Sequence, residues 1–267
     1  MIAKYHLCTY NKRALYKMVL NNYRHLLPKF INGPVNFCAK HKITPNMISF
    51  LGFLDSVAAA VALALPAIFM YNYSPITANF NWWWACIPGW LFFFTGYIDV
   101  IDGAVARKIG KSSNFGAFLD STLDRISDAV VVLGFMLSGM LWPQNTLVNN
   151  MLGFTTLIIV LMISYTRSRA ELEGVVMKGI GFMERAERWF FILFSIIIEW
   201  IAFAIQVQFM DIDPANVFHI FPYLHILYTV LCFQTLWSRV SWAFKWLNNK
   251  MPEKVAKILA KQETLAK

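Results

Sequence analysis

The sequence predicts an all-α integral membrane protein with six transmembrane helices, an N-terminal interfacial amphipathic helix and both termini in the cytoplasm. Hydrophobic residues make up 58% of the 267 residues and charged residues only 15%, which is a composition typical of membrane proteins. Apolar stretches of about 20 residues recur, and this is the length that a helix needs to cross a bilayer. Basic connections alternate with connections that lack Lys and Arg.

The chain is predicted to have three parts. Residues 1–43 form a basic juxtamembrane segment with eight Lys or Arg and no Asp or Glu. Within it, "KRALYKMVLNNYRHLLPKFI" interleaves apolar and basic residues, as a helix lying in the membrane interface would. Residues 44–240 form the six-helix domain, and 241–267 form a basic tail. The predicted spans are residues 48–70, 82–101, 119–141, 151–170, 187–207 and 217–238.

The cations predict the orientation of these spans. Connections 71–81, 142–150 and 208–216 contain no Lys or Arg, whereas both ends and the other connections are basic. Because basic connections stay in the cytoplasm, both termini and two loops are placed there. The compact length and the lack of a recognisable targeting segment favour a bacterial or archaeal cell membrane as the location. The net charge of +9 then indicates contact with anionic lipid rather than nucleic acid. The four cysteines show no zinc spacing and no disulfide framework.

Four aspartates lie at the cytoplasmic ends of the second and third predicted spans. Asp99 and Asp102 are three residues apart, and Asp120 and Asp124 are four apart, so each pair shares one helix face. A short connection keeps both helix ends close, so the four carboxylates can meet in one cavity. A carboxylate within a membrane span raises the free energy of insertion, and such residues are usually functional. Bound Mg²⁺ or Mn²⁺ would relieve the repulsion among four of them. The alternative is that these are ordinary helix-end acids, which pair with Arg107 and Arg125.

Small residues and one arginine separate the two acidic pairs. Gly103, Ala106 and Gly116 leave room for a ligand beside the backbone, and Arg107 can bind a phosphate through two N–H groups. This combination with four acids predicts a site for a metal-bound pyrophosphate.

The arrangement DxxDGxxAR, eight residues, GxxxDxxxD resembles the signature of the CDP-alcohol phosphotransferase family at every fixed position and gap. "ITPNMISFLG" at residues 43–52 is similar to the family's entry into its first span. The resemblance implies an enzyme that exchanges the CMP of a CDP-lipid for an alcohol, with two divalent ions per active site. Members of this family are commonly homodimers, so the resemblance also implies a homodimer.

The resemblance also implies roles for individual residues. The two metal ions would be held by Asp99, Asp102, Asp120 and Asp124. Asp124 would in addition be the general base that takes the proton of the acceptor hydroxyl. The CDP-lipid would lie against Asp102, Gly103, Ala106, Arg107 and Gly116, with Ser113, Thr44 and Asn46 lining the same pocket.

Residues 164–189, "SYTRSRAELEGVVMKGIGFMERAERW", predict the class of acceptor. Four arginines flank the fourth and fifth spans: Arg167, Arg169, Arg185 and Arg188. Ordinary positive-inside flanking explains any one of them, but the repeated use of Arg favours a second anion site. The stretch is similar to "SYxRA+AE" and "GxxERxER" of members that transfer to inositol 1-phosphate, and it departs with Ser168 in place of Ala.

Several alternatives stay open at this point. Glycerol 3-phosphate or another alcohol could be the acceptor, and CDP-diacylglycerol or CDP-archaeol could be the donor. A divalent-cation or proton-coupled transporter would also use buried acids, but such proteins tend to repeat an inverted half, which this sequence lacks. Asp55 and Glu199, inside the first and fifth spans, have no predicted role.

Overall fold

The structure, a computed structural model, describes residues 27–69, 82–109, 114–177, 179–212 and 217–248. This part of the chain forms seven α-helices and no strand. The helices are α1 Leu27–Lys40, α2 Pro45–Phe69, α3 Trp82–Ile109, α4 Asn114–Ser138, α5 Thr146–Leu172, α6 Arg185–Gln208 and α7 Phe221–Leu247. The predicted all-α class is therefore confirmed. The predicted interfacial helix spans residues 12–31, and only residues 27–31 of it, the start of α1, fall in the described part. Residues 1–26 lie outside that part.

Four segments are long and apolar enough to cross a membrane, judged by length and composition. They are Pro45–Leu65 in α2, Pro88–Ala106 in α3, Thr146–Leu172 in α5 and Arg185–Gln208 in α6. Helices α4 and α7 overlap the third and sixth predicted spans, 119–141 and 217–238, but are not among these four segments. Helix α4 carries four charged residues from position 120 to position 128. A multi-pass helical membrane protein is therefore supported, while the number of six spans and the cytoplasmic termini stay predictions.

The described residues pack into two compact units. The first contains those up to Gly52 and those of Tyr97–Ser121, and the second contains those of Phe53–Gly96 and those from Thr122 onward. The core of the first unit is formed by Val35, Ile48, Ile101 and Val105. These side chains join α1, the start of α2 and the end of α3, so they fix the backbone that carries Asp99 and Asp102.

The second unit has a larger apolar and aromatic core. The Phe92 ring on α3 stacks on the Phe135 ring of α4, with centroids 5.7 Å apart, and both side chains are fully buried. Helices α2 and α4 approach closely at Gly134, where a Cβ atom would lie only 2.7 Å from Ala60 Cα. Any larger residue at position 134 would push these two helices apart, and α4 carries Asp124 and Asp128.

The connection between α5 and α6 is held by side chains of α7. Thr235 Oγ1 accepts a hydrogen bond from Met183 N at 3.0 Å, and Arg239 donates to Ile180 O at 3.0 Å and to Ile163 O at 2.8 Å. Gly181 has φ of +100°, and a Cβ there would lie 2.4 Å from Thr235 Cγ2. The segment that leads into α6 is therefore fixed in place before Arg185 begins that helix.

At its other end, α6 is joined to α7 through Glu199. Its Oε2 accepts from Ile220 N and Phe221 N, both at 2.8 Å, and its Oε1 lies 2.6 Å from His219 Nδ1. The first N–H groups of a helix lack partners within the helix, so the carboxylate of Glu199 caps α7. This contact accounts for a buried acid that had no predicted role.

Candidate active site

The first pair of motif aspartates lies near the end of α3. Asp99 is exposed, whereas Asp102, nearly one turn later, is buried. Asp102 Oδ2 accepts a hydrogen bond of 2.5 Å from Ser49 Oγ at the start of α2. A buried carboxylate needs such a donor, and the bond fixes the orientation of the Asp102 carboxyl group. Ser49 was not singled out in the sequence, although it lies inside the stretch "ITPNMISFLG".

The second pair lies on α4. A carboxylate oxygen of Asp120 lies within 4.8 Å of one on Asp99, and the same limit holds between Asp120 and Asp124 one turn further along α4. Carboxylate oxygens are the ligands that Mg²⁺ and Mn²⁺ prefer. Acids collected at this spacing repel one another unless a cation lies among them, so the residues present fit a divalent metal ion.

The predicted nucleotide-binding residues flank these acids along the chain. Gly103 and Ala106 follow Asp102 on α3, and Gly116 lies in the first turn of α4; all three are partly exposed. Thr44 directly precedes α2, where its carbonyl accepts from Met47 N and Ile48 N, and Asn46 is the second residue of that helix. The side chain of Arg107 and the whole of Ser113 lie outside the described residues.

Asp124 forms an ion pair with one of the predicted acceptor arginines. Arg185 Nη2, in the first turn of α6, lies 2.8 Å from Asp124 Oδ1. Both side chains are about one-quarter exposed, at 25% and 24%. The structure thus joins a residue predicted as general base to a residue predicted as a phosphate ligand, although they are 61 positions apart in the sequence.

A second ion pair lies one turn further along both helices. Arg188 Nη2 lies 2.5 Å from Asp128 Oδ2, and these side chains are only 4% and 8% exposed. Arg188 Nη1 also donates to Met183 O at 3.4 Å. A cavity beside this pair is lined by Asp128, Arg188 and Tyr228 among apolar side chains. Arg188 is therefore a buried residue rather than a surface cation.

Arg167 and Arg169 lie on the last turns of α5 and are exposed. They form ion pairs with Glu171 and Glu173 on the same helix, at 3.0 Å and 2.6 Å. Exposed pairs of this kind contribute little to stability, so an anionic ligand could replace the glutamates at small cost. The four predicted acceptor arginines thus fall into two sets: Arg185 and Arg188 contact α4, whereas Arg167 and Arg169 pair along α5.

Two further polar contacts concern residues noted in the sequence. Thr95 Oγ1 donates to Asp55 Oδ2 at 2.6 Å, which gives this half-buried acid of α2 a partner on α3. Arg125 Nη2 donates to Ser168 Oγ at 3.1 Å. Ser168 is the position at which the sequence departs from the pattern of the inositol 1-phosphate members, and an alanine could not accept this bond. Spacing along the sequence predicted neither contact.

Known proteins resemble this chain in sequence and in structure. An archaetidylinositol phosphate synthase from Pyrococcus horikoshii is 38% identical over 146 residues, which are 55% of this chain and 65% of that protein. The chain thus spans slightly under two thirds of that relative's length. The manganese and citrate complex of Mycobacterium tuberculosis phosphatidylinositol phosphate synthase superposes with a TM-score of 0.60, at 25% identity over 79% of this chain and 88% of that one.

A structure of the same Mycobacterium tuberculosis enzyme with CDP-DAG bound is also similar. It has a TM-score of 0.54 and 27% identity, and covers 79% of this chain and 94% of that one. The family model of the CDP-alcohol phosphatidyltransferases matches residues 42–246, a range that contains all eight fixed positions of the motif. The chain belongs to the CDP-alcohol phosphatidyltransferase family.

Proposed function

We propose that the protein transfers the phosphatidyl or archaetidyl group of a CDP-lipid to a hydroxyl of inositol 1-phosphate and releases CMP. The family supports the reaction class, and the names of the relatives support the acceptor. The single observation that carries the proposal is the Arg185–Asp124 ion pair of 2.8 Å. A phosphate bound by Arg185 would bring the acceptor's hydroxyl close to the carboxylate that we assign as its base.

Asp99, Asp102, Asp120 and Asp124 are the proposed ligands of two divalent ions. When bound, such ions neutralise the pyrophosphate and stabilise the attacking and leaving oxygens of an in-line displacement. Asp99, Asp120 and Asp124 fit this role because carboxylate oxygens are hard donors and those of Asp120 lie within 4.8 Å of the other two. Asp102 is assigned by its place in the motif. Ser49 holds Asp102 in one orientation, so this ligand is fixed before substrate binds.

The donor is proposed to lie against the small residues that separate the two acidic pairs in the sequence. Gly103, Ala106 and Gly116 leave space beside the backbone for the cytidine diphosphate. Arg107 would bind a phosphate oxygen, and Ser113 would lie in the same pocket with Thr44 and Asn46. These assignments follow the motif, residue by residue.

The chemical step moves one group and one proton. The acceptor oxygen attacks the phosphorus that carries the lipid, and the bond from that phosphorus to the bridging oxygen breaks, so CMP leaves with the electron pair. Asp124 takes the proton of the attacking hydroxyl. A carboxylate is a weak base, so much of the rate must come from positioning and from charge stabilisation.

Arg167, Arg169 and Arg185 are the proposed ligands of the acceptor's phosphate. All three are at least partly exposed, and their partners are acids that a phosphate would replace. Arginine suits this role because its planar guanidinium donates two parallel hydrogen bonds to one anion. Arg188 is buried on Asp128 and is therefore not included among the proposed ligands.

We further propose that residues 44–240 cross the cell membrane six times, with the active site and the segments 1–43 and 241–267 on the cytoplasmic side. The distribution of Lys and Arg supports this orientation. A homodimer is the proposed assembly. Cysteine accessibility to a membrane-impermeant reagent at positions in 142–150 and 208–216 would test the side assignment.

The reaction is tested with purified protein, Mg²⁺ or Mn²⁺ and a matrix of two donors and several acceptors. CMP release should be highest with inositol 1-phosphate, lower with glycerol 3-phosphate and lowest with free inositol. Chelation of the metal should stop it, and added Mn²⁺ or Mg²⁺ should restore it. Mass spectrometry of the product identifies the preferred lipid.

Two results would contradict the proposal in different ways. Faster turnover of free inositol than of its phosphate would remove the acceptor assignment while leaving the reaction class. No CMP release with any acceptor, together with metal-ion or proton flux in proteoliposomes, would favour the transporter alternative.

A further inference from the structure

The contacts between α4 and α6 form two consecutive rungs. Asp124 and Asp128 lie one turn apart on α4, and Arg185 and Arg188 lie nearly one turn apart on α6. The outer rung, Asp124–Arg185, measures 2.8 Å, and the inner rung, Asp128–Arg188, measures 2.5 Å. The same pairing of residue types therefore repeats along both helices.

The two rungs differ sharply in burial. The outer side chains are 25% and 24% exposed and the inner ones 4% and 8%. An outer pair that water reaches can exchange its partner for a ligand. Removing one partner of a buried pair leaves an uncompensated charge in a low-dielectric interior, which is strongly unfavourable. The inner rung is therefore suited to holding the helices, and the outer rung to binding.

Arg188 also contacts the segment that leads into α6 and the first turn of that helix. Its Nη1 donates to Met183 O, and Met183 N donates to Thr235 Oγ1 of α7. The Arg188 N–H itself bonds to Glu184 O in the first turn of α6. The start of α6 is thus held by α7 on one side and by Asp128 of α4 on the other.

We propose that Asp128 and Arg188 are a positioning pair, which sets the register of α6 against α4 and so keeps Arg185 beside Asp124. The inference rests on the proposed function, because it gives the pair a role in placing the acceptor's phosphate relative to the base. Helical geometry makes the register decisive, since a shift by one residue rotates a side chain by about 100° around the helix axis. Arg185 would then point away from Asp124.

The test is a double-mutant cycle measured as kcat/KM for the phosphorylated acceptor. Arg188→Gln and Asp128→Asn should each lower kcat/KM by about 100-fold, because small displacements of a substrate-positioning group have effects of this size. In an Arg185→Gln background, Arg188→Gln should lower it by less than about threefold, since residues that act as a unit are not additive. Arg188→Lys keeps the charge and should recover part of the loss.

Glu199→Gln is the matched control, because it neutralises a carboxylate that is equally buried but lies at the other end of α6. It should lower the thermal midpoint and leave kcat/KM unchanged. Fully additive losses in the double mutant would overturn the positioning role. The positioning role would also be overturned if Glu199→Gln lowered kcat/KM together with the thermal midpoint, as Arg188→Gln does.

A structural readout separates failure of this inference from failure of the proposed function. Asp124→Cys and Arg185→Cys, in a chain whose four native cysteines are replaced, should be joined by a short bifunctional thiol reagent. Adding Arg188→Gln should reduce the yield of cross-linked protein several-fold. An unchanged yield overturns the inference whether or not CMP is released, and a reduced yield supports it even if the acceptor proves to be another alcohol.

Discussion

Towards each end of α6 lies a carboxylate that contacts nitrogen donors of another helix or its cap, and the two contacts differ. At the end of the helix, Glu199 is buried and accepts hydrogen bonds from two backbone N–H groups of α7, with His219 as a third neighbour. At the start, Arg185 contacts Asp124, an acid that lies one turn from Asp120 on α4. One carboxylate is surrounded by donors, and the other belongs to a group of like charges.

This difference separates an acid with a structural contact, Glu199, from one with a proposed catalytic role, Asp124. A buried carboxylate is stable when hydrogen-bond donors surround it, and Glu199 meets that condition within the protein. Carboxylates gathered near one another become stable only when a cation joins them. Acids inside spans are functional by default, but the two backbone N–H groups that Glu199 accepts from give that acid a capping role instead.

The largest expected effect comes from removing the charge of Asp124. Asp124→Asn should lower kcat by about 1,000-fold or more, because loss of a general base alone costs 100- to 10,000-fold and a metal ligand is lost with it. The measurement is CMP release by purified protein, with membrane insertion checked by fractionation. Glu199→Gln serves as the control acid. Substantial activity in Asp124→Asn would exclude Asp124 as the base.

The next effect concerns the exposed arginines at the end of α5. Changing Arg167 and Arg169 together to Gln should raise KM for inositol 1-phosphate by about tenfold or more, because hydrogen bonds to a charged group contribute about 1.5 to 3 kcal/mol. The value of kcat should change less. The matched control is Glu171→Gln with Glu173→Gln, which frees both arginines and should leave KM equal or lower. Equal KM values in both double variants would show that these arginines do not bind the acceptor.

A smaller effect is expected at Ser49, which contacts the acids only through Asp102. Ser49→Ala should raise the Mn²⁺ concentration that gives half-maximal activity by about tenfold, since residues that orient metal ligands typically contribute 10- to 100-fold in affinity. Activity at saturating Mn²⁺ should recover. The control is Ser56→Ala, a fully buried serine on the same helix. The same metal dependence in both variants would argue against the role of Ser49.

The helical class and the acidic motif could be predicted from sequence because both depend on short-range spacing. Asp120 and Asp124 are four residues apart, so any α-helix places them on one face. The apolar lengths of α2, α3, α5 and α6 likewise suffice to indicate spans. Helices α4 and α7 do not meet the same criterion of length and composition, although the sequence predicted a helix over 119–141 and over 217–238, which overlap them.

Contacts between distant parts of the chain could not be predicted in this way. Ser49 and Asp102 are 53 positions apart, and no local pattern relates them. The charge count treated Arg185 and Arg188 alike as cytoplasmic cations, yet packing buries only Arg188 among the side chains of α4 and α7. Sequence spacing thus identified the set of arginines, and tertiary packing divided it into proposed ligands and a proposed positioning residue.

The smallest effect on catalysis is expected at Glu199. Glu199→Gln replaces one of the accepting oxygens by a donor amide that faces a backbone N–H or His219, and an unpaired buried group costs about 1 to 3 kcal/mol. The thermal midpoint in detergent should therefore fall while kcat and KM stay at the wild-type values. Glu199→Asp keeps the charge but is shorter, so it should also destabilise the protein because it no longer reaches both N–H groups of α7. A change in KM for the acceptor without a change in thermal midpoint would mean that the two ends of α6 are functionally coupled, and the distinction drawn between the two kinds of acid would fail.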